Sequence, residues 1–284
     1  MSRKNIFPIF LQLPINIIIF SLVAYVLGWL IYSVFYTTPP GGQTTFIGLN
    51  NFITVLSDAR LFNAVLRTAY YAGLGTALEV LLGMIIALGI VNLVSSNIRR
   101  FIILIIFLIP MGLSEAIVSH LWLMLLTPQG YINSILRYMG LQPVGWLTES
   151  MALNSLILAD IWQWTSLPLL LMYAARVSIP QDLYDMAKIE RLSAFTTFRV
   201  VTWPYIKNAL IVATLLRFIF MYNTIDKIVL ITFGGPGLAT ETIGYYIWMQ
   251  SFSYRNVSYS ATLSLLTLLS TAVLAYVFWK SLKR

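Results

Sequence analysis

Residues 68–92 read TAYYAGLGTALEVLLGMIIALGIVN, a run in which Glu79 is the one charged side chain. A helix of roughly 20 apolar residues is long enough to cross the hydrocarbon layer of a bilayer. The run meets that length with residues to spare. It therefore predicts a membrane-spanning α-helix and places the chain among integral membrane proteins.

Five further stretches have the same character, and charge, Gly, Pro or Asn separates each from the next. They are residues 15–36, 101–126, 152–177, 208–233 and 260–279. Together with residues 68–92 they predict an all-α, polytopic membrane protein with six transmembrane helices in a single domain over residues 1–284. The first stretch follows basic residues, as a signal peptide does, but no small-x-small cleavage pattern comes after it. We expect it to be a retained helix.

The composition excludes several classes of function. Of the 284 residues, 59% are hydrophobic and only 10% charged, which is far from the average soluble domain. The chain has no cysteine, so disulfides, thiol nucleophiles and Cys-ligated metals are excluded. The single histidine, His120, argues against a histidine metal site, and we expect no metal site in this chain.

The net charge of +8 is accounted for by topology. If the N-terminus is cytoplasmic, the outer loops contain only Arg60, Arg67, Arg137 and Arg255 among the basic residues, and most of the others fall in the inner segments. Excess Lys and Arg on the cytoplasmic side is the usual rule for membrane proteins. We therefore expect both termini in the cytoplasm and no nucleic-acid partner.

Residues 178–207 form the longest predicted cytoplasmic segment, and they carry helix signals. Pro180 suits a first helical turn, and Asp182 favours the positive end of the helix dipole. Ser193 suits the N-cap of a second short helix, which Pro204 is expected to end. Two short helices with exposed apolar residues predict a docking site for another protein. A solvated amphipathic loop is the alternative.

Several motifs carry a family resemblance. Residues 179–193 (IPQDLYDMAKIERLS), followed by Phe198 and Trp203-Pro204, resemble the cytoplasmic "EAA" loop of binding-protein-dependent ABC importer permeases. Residues 232–237 (TFGGPG) and Thr240-Glu241-Thr242 resemble the maltose-permease-like first membrane subunit of the sugar branch. Further matches are Ile109-Pro110, residues 130–133 (GYIN), Trp146-Leu147 and Trp162. The resemblance runs from about residue 46 to the last helix.

The resemblance implies a transmembrane subunit of an ATP-driven importer in the cell membrane. Such a subunit forms half of the translocation path for a mono- or oligosaccharide delivered by an extracytoplasmic sugar-binding protein. The implied partners are a second homologous permease, two ATP-binding subunits and the lipid bilayer. This chain has no G-x-x-x-x-G-K-[ST] phosphate loop. We therefore expect no cofactor and no enzymatic activity in it, with ATP and Mg bound by the partner ATPase.

The resemblance assigns ATPase coupling to the segment that matches the family loop. The residues are Leu183, Tyr184, Asp185, Met186, Ala187, Glu190 and Arg191. The family's Glu-Ala-Ala becomes Asp185-Met186-Ala187 here, and its Asp-Gly becomes Glu190-Arg191. Glycine suits a turn with positive φ, where Arg would cost on the order of 1 kcal/mol or more. Either the turn is rebuilt without that conformation or the groove of the partner differs.

Polar side chains within the predicted spans are the candidates for the substrate path, because such groups usually face a cavity or the bundle interior. They are Glu79, Glu115, His120, Asp160, Gln163, Arg217, Asn223, Asp226 and Lys227. By resemblance, the path consists of Gln163, Trp164, Arg217, Phe220, Met221, Asn223, Thr224 and Asp226. An amide next to an indole offers a sugar both hydrogen bonds and a flat apolar surface. By resemblance, the outer-loop turn Gly234-Gly235-Pro236 lies near this path.

Other interpretations stay open at this point. Any one of these polar residues can form a helix-to-helix hydrogen bond, and Trp162 and Trp164 can belong to ordinary packing or to an interfacial aromatic belt. Arg217 can pair with Asp160 or Asp226 in place of binding sugar. A different class of function is a proton-coupled secondary transporter that uses the acids Glu79, Glu115, Asp160 and Asp226. An intramembrane enzyme is disfavoured, since the chain lacks a plausible nucleophile and base or metal cluster.

Overall fold

The computed structural model of the chain describes residues 7–39 and 42–282. Its helices are α1 (Phe7–Phe35), α2 (Asn50–Leu56), α3 (Ala59–Leu93), α4 (Asn97–Leu108), α5 (Glu115–Leu126), α6 (Tyr131–Tyr138), α7 (Ala152–Trp164), α8 (Ser166–Val177), α9 (Gln181–Ile189), α10 (Ala194–Thr197), α11 (Trp203–Tyr222), α12 (Ile243–Trp248) and α13 (Val257–Leu282). A short antiparallel pair joins β1 (Tyr36–Thr37) to β2 (Thr45–Phe46). The basic residues Arg3, Lys4, Lys283 and Arg284, which support the predicted orientation of the termini, lie outside the described residues.

The described residues contain four helical segments that are long and apolar enough to cross a membrane: Leu11–Phe35, Ala59–Leu93, Ala194–Tyr222 and Val257–Lys280. Helices α7 and α8 are bent by 41° at Thr165 and make a fifth segment if the pair counts as one span. The predicted all-helical membrane fold is confirmed. The count of six continuous spans is not matched.

The predicted span 101–126 is one stretch that differs, because it is not one helix. Helix α4 ends at Leu108, a 3₁₀ turn covers Pro110–Gly112, and α5 begins at Glu115. Ser114 caps α5 by accepting a hydrogen bond from the Ile117 amide at 3.4 Å. Proline lacks the amide hydrogen that a continuing helix needs, so Pro110 favours a break in a stretch whose composition is apolar throughout.

The second short helix predicted within 178–207 is the beginning of a spanning helix. Helix α10 continues through a π-helical turn, Phe198–Thr202, directly into α11. Pro204 therefore does not end the element, and the expectation that it does is wrong. Proline is tolerated in the first turn of a helix, and the wider π turn before Pro204 accommodates its missing amide hydrogen.

The turn after α9 has the left-handed conformation that glycine would favour, although an arginine occupies it. Arg191 has φ of 54°. Its amide donates to the Lys188 carbonyl at 3.0 Å, and the Leu192 amide donates to the Ala187 carbonyl at 3.0 Å. These two bonds make a Schellman C-cap with Arg191 in the position where glycine is usual. Of the two alternatives from the sequence, the one in which the turn is rebuilt is therefore excluded.

We expect Arg191→Gly to stabilise the chain by about 1 kcal/mol, because glycine adopts the left-handed conformation without the steric penalty of a side chain. The measurement is the thermal unfolding midpoint of the purified protein in detergent. Lys188→Gly is the matched control, since Lys188 lies in the last turn of α9 and glycine there weakens a helix. A loss of stability for Arg191→Gly equal to that of Lys188→Gly would contradict the strained-turn interpretation.

The described chain forms two compact units. One contains the residues up to Ala59 together with Ile247–Ser270, and within it the Asn51 side-chain amide donates to the Ser258 hydroxyl at 2.7 Å. The other contains Arg60–Tyr246 and the residues from Thr271 onward. In this second unit, α3, α8 and α11 pack through a buried cluster of Ala87, Met172, Ile206 and Ala213. The site described below lies entirely in the second unit.

Candidate functional site

Five charged side chains from separate segments meet inside the second unit. They are Glu79 on α3, Glu115 on α5, Asp160 on α7, Arg217 on α11 and Lys227 next to the π turn Ile228–Thr232. Arg217 donates from Nε to Glu79 Oε2 and from Nη2 to Glu79 Oε1 at 2.9 Å, and Nη2 also reaches Asp160 Oδ2 at 3.2 Å. Lys227 Nζ donates to Asp160 Oδ1 at 2.7 Å and to Glu115 Oε2 at 2.6 Å. We call these five residues the ion cluster.

The ion cluster is almost completely removed from solvent. Glu79 and Lys227 are fully buried, Arg217 is 1% exposed and Asp160 is 2% exposed, while the Glu115 side chain retains 28% exposure. A buried charge is tolerated only with a close, well-oriented partner. Asp160 accepts from both cations and so joins α7 to α11 and to Lys227. The sequence offers Asp160 or Asp226 as an ion-pair partner of Arg217. In the structure Arg217 pairs with Asp160 and also with Glu79.

A cavity of about 350 Å³ opens beside the ion cluster. Its walls are formed by Glu115, Asp160, Trp164, Arg217, Ile219, Phe220, Met221, Asn223, Thr224 and Asp226. Trp164 is held in place on this wall, since its indole nitrogen donates to Glu115 Oε1 at 2.9 Å and the Arg217 guanidinium lies 5.0 Å from its ring centroid. Of the eight path residues inferred from the sequence, seven line this one cavity.

The end of α11 creates the polar part of the cavity wall. The predicted span 208–233 is interrupted because α11 stops at Tyr222, and the Asn223 side chain donates back to the Ile219 carbonyl at 2.8 Å. Non-helical backbone within a membrane protein is tolerated where it lines a cavity or is buried in protein. Asn223 and Thr224 follow the end of the helix, and both line the cavity.

Gln163 is the path residue that the structure places elsewhere. It is fully buried, and its Nε2 donates to the Leu113 carbonyl at 3.2 Å, which satisfies one backbone group at the break between α4 and α5. Its Oε1 has no hydrogen-bond partner among the residues that the structure describes. Successive residues on a helix point about 100° apart, and here Trp164 faces the cavity while Gln163 turns towards the break between α4 and α5. Their adjacency in the sequence suggested otherwise.

Sequence reasoning lists Glu79, Glu115 and Asp160 as polar candidates within the spans but includes none of them among the eight path residues. Glu79 and Glu115 are charges within predicted spans, and that signal alone marks them as functional candidates. What the sequence lacks is their partners, since Glu79 lies 138 residues from Arg217 and Glu115 lies 112 residues from Lys227. Trp162, in contrast, packs edge-on against Trp122 with ring centroids 6.1 Å apart.

The segment of residues 234–244, which we call the outer loop, contacts α3 at one side of the cavity. Buried Glu241 accepts from Arg60 Nε and Nη2, the latter at 2.6 Å, and the Ile243 amide donates to the Thr68 hydroxyl at 2.8 Å. Gly244 then approaches the cavity wall so closely that a Cβ there would lie 3.0 Å from the Thr224 carbonyl oxygen. These contacts fix the outer loop relative to the break in α11.

The turn Gly234-Gly235-Pro236 lies within the same loop. Gly234 has φ of 79°, and a Cβ at this position would lie 2.3 Å from the Tyr245 ring. The Thr240 hydroxyl donates to the Gly235 carbonyl at 2.9 Å. The small residues of this turn therefore allow close packing, and none of the three lines the cavity described above.

Helix α9 divides the predicted coupling residues into two faces. Leu183, Tyr184 and Ala187 point inward onto a small core of Ile179 and Val201. Exposed side chains on the other face and in the following turn are Asp185, Met186, Glu190 and Arg191. Ala187 thus packs within the chain. The Lys188 ammonium donates to Asp185 at 2.9 Å and lowers the pKa of that carboxyl.

The described residues contain no group of three or more His, Cys, Asp or Glu side chains arranged to hold a metal ion. The ion cluster is suited to holding helices together beside a polar cavity with an aromatic wall.

Comparison with known proteins identifies the family of the chain. Residues 79–280 match the family described as "Binding-protein-dependent transport system inner membrane component". The trehalose/maltose transport system permease protein MalF of Thermococcus litoralis is 33% identical over 244 residues, covering 84% of this chain and 80% of that protein. The probable ABC transporter permease protein y4oQ of Sinorhizobium fredii is 30% identical over 259 residues, covering 88% and 83%.

The fold is shared with a solved transporter. The crystal structure of a bacterial ABC transporter involved in the import of the acidic polysaccharide alginate superimposes with a TM-score of 0.84 at 21% identity, covering 99% of this chain and 96% of that one. The family match covers most of the chain and confirms the resemblance drawn from the sequence motifs. The chain belongs to the family of inner membrane components of binding-protein-dependent transport systems.

Proposed function

We propose that this permease subunit forms half of the translocation path for a carbohydrate, a mono- or oligosaccharide, in an ATP-driven importer. The observation that carries the proposal is the cavity beside the ion cluster. Its aromatic side chains, Trp164 and Phe220, offer flat surfaces for the C–H faces of a sugar. Its polar groups, Asn223, Thr224 and Asp226, offer hydrogen bonds to hydroxyls.

The relatives support a carbohydrate substrate. The Thermococcus protein is named for trehalose and maltose, and the solved transporter imports a polysaccharide. The substrate of the present chain is delivered by an extracytoplasmic sugar-binding protein. A solved complex of the alginate transporter with its pentasaccharide-bound periplasmic protein supports this step.

The proposed assembly contains a second homologous permease and two ATP-binding subunits, which hold ATP and Mg. Both termini are cytoplasmic in this arrangement, and six crossings result if residues 101–126 cross the membrane as a broken span. The break at Pro110 is compatible with a crossing because protein groups such as Gln163 satisfy the freed backbone. The ATPase docks on the exposed face of α9.

A proton-coupled carrier is not the function we propose. Three of the four acids that suggest it, Glu79, Glu115 and Asp160, are each within 3.2 Å of a cation in the ion cluster. Each of these acids is therefore already paired with a cation inside the ion cluster. Measuring whether uptake follows ATP or a proton gradient separates the two classes of transporter.

We expect Trp164→Ala to lower sugar uptake about tenfold, because a lost stacking surface is worth about 0.5–1.5 kcal/mol and the ring also anchors Glu115. The measurement is uptake of maltose and trehalose by the complete complex in proteoliposomes with ATP. Trp162→Ala is the matched control, since Trp162 lies two residues away on α7 and does not line the cavity. Trp164→Phe keeps a ring and should retain most of the uptake.

Two outcomes would contradict the proposal. Equal uptake by the Trp164→Ala and Trp162→Ala variants would remove the cavity from the path. A wild-type complex whose ATP hydrolysis no loaded sugar-binding protein stimulates would remove the carbohydrate function itself.

A further inference from the structure

Arg176, in the last turn of α8, joins the membrane helices to the segment on which the ATPase is proposed to dock. It is 9% exposed, and its guanidinium carbon lies 4.0 Å from the ring centroid of Tyr184 on α9. Its Nη2 also donates to the side-chain oxygen of Asn92, near the end of α3, at 3.1 Å. One side chain therefore contacts α3 and α9 while it is part of α8.

Tyr184 extends this contact to a fourth segment. Its hydroxyl forms a hydrogen bond of 2.8 Å with Thr202, the last residue of the π turn that leads into α11. Thr202 is 4% exposed. The inner face of α9 is thus connected by named polar contacts to α3, α8 and the beginning of α11.

The opposite face of α9 is open. Met186 is 57% exposed and Ile189 is 81% exposed. Both ends of helix α9 are well defined, because Pro180 occupies the position before its first residue and the Schellman turn at Arg191 caps its C-terminus. A force applied to the open face would therefore move α9 as a body, and Tyr184 would move with it.

The contact between Arg176 and the Tyr184 ring can transmit movement of α9 to α8. Among the described residues, Arg176 forms no salt bridge, and its partners are a ring face and an amide oxygen. A cation is attracted to the face of an aromatic ring within about 6 Å, and the attraction is larger when both groups are desolvated. If α9 shifts sideways, the guanidinium keeps this contact only when α8 shifts too.

We propose that the stack of Arg176 on Tyr184 is the joint that carries displacement of α9 into α8 and α3, with both residues acting as positioning residues for transport. This inference rests on the proposed function, in which the ATPase docks on the open face of α9. Loss of the stack leaves the docking face intact and removes the contact of α9 with α8 and, through Arg176, with α3.

The test measures sugar uptake and ATP hydrolysis together in proteoliposomes that contain the complete complex, the sugar-binding protein and maltose. Tyr184→Leu removes the ring, and Arg176→Gln removes the cation. In each variant we expect the ATP hydrolysed per sugar transported to rise about tenfold, while the ATPase still co-purifies with the permease. Tyr184→Phe keeps the ring and loses only the Thr202 hydrogen bond, so its ratio should remain within about twofold of wild type.

The outcomes separate this inference from the function on which it rests. An unchanged ratio in Tyr184→Leu and Arg176→Gln overturns the joint, and so does loss of the ATPase from both variants, since that would show a docking role. Asn92→Ala provides an independent arm that removes only the α3 contact, and a smaller rise in the ratio is expected. A wild-type complex without stimulated ATP hydrolysis would instead refute the proposed function.

Discussion

Arg217→Met is expected to destabilise the folded permease by about 3–5 kcal/mol, because it leaves Glu79 buried with no cation and removes one of the two partners of Asp160. The side chain lost is 1% exposed, so water cannot replace it without opening the core. The thermal unfolding midpoint in detergent should fall steeply, and the yield of folded protein from membranes should fall with it.

Two controls show whether buried charge is the cause. Combining Arg217→Met with Glu79→Met removes both members of the Arg217–Glu79 pair. This double variant should restore more than half of the lost stability, because no uncompensated charge remains at that pair. Lys188→Met breaks an ion pair whose side chains are 73% and 54% exposed, and it should change the midpoint little. A single Arg217→Met variant as stable as wild type would show that the ion cluster does not hold these helices together.

The variant Met186→Asp/Ile189→Asp is expected to lower uptake more than tenfold by separating the ATPase from the permease. These side chains are the exposed apolar residues of α9, and burying a carboxylate in a docked interface costs several kcal/mol. Pull-down of the ATPase by the tagged permease measures the loss directly, and proteoliposome uptake measures its consequence.

The matched variant Met186→Leu/Ile189→Val keeps both positions apolar and should retain docking. Membrane insertion and the unfolding midpoint should be unchanged in both double variants, because both side chains are exposed. Normal co-purification of the ATPase with the aspartate variant would mean that the permease is engaged elsewhere. Ala187 is unsuitable for this test, since it is 4% exposed and a larger side chain there would disturb the inner face of α9.

The family match makes the chain a non-catalytic permease subunit. Its ion cluster joins several helices to one another. The partly exposed Glu115 lies at the edge of the cluster and also lines the cavity. The Trp164 ring is positioned by this acid. The proposed substrate path and the helix-to-helix contacts therefore share residues, which is why the two interpretations of intramembrane polar groups could not be separated by inspection of the sequence.

Much of the fold is predictable because its causes are local. Apolar runs of sufficient length specify helices such as α3 and α13, since a backbone in lipid must satisfy its own hydrogen bonds. The motif at 179–193 predicts α9 and its cytoplasmic role. The breaks within the spans are harder to predict. Pro110 and Asn223 can be seen in the sequence, but the apolar composition continues on both sides of them and does not indicate where the helix ends.

By itself, the sequence determined the membrane class, most of the helices and, through its motifs, the family; the resemblance to that family suggested seven of the residues that line the cavity. Only the tertiary structure decided which charges pair, that Gln163 turns away from the cavity, and that Ala187 and Tyr184 face inward. Hydrophobic length and helical spacing are properties of neighbouring residues. A partner 138 positions away, as Glu79 is for Arg217, is chosen by how whole helices pack, and no local pattern records that choice.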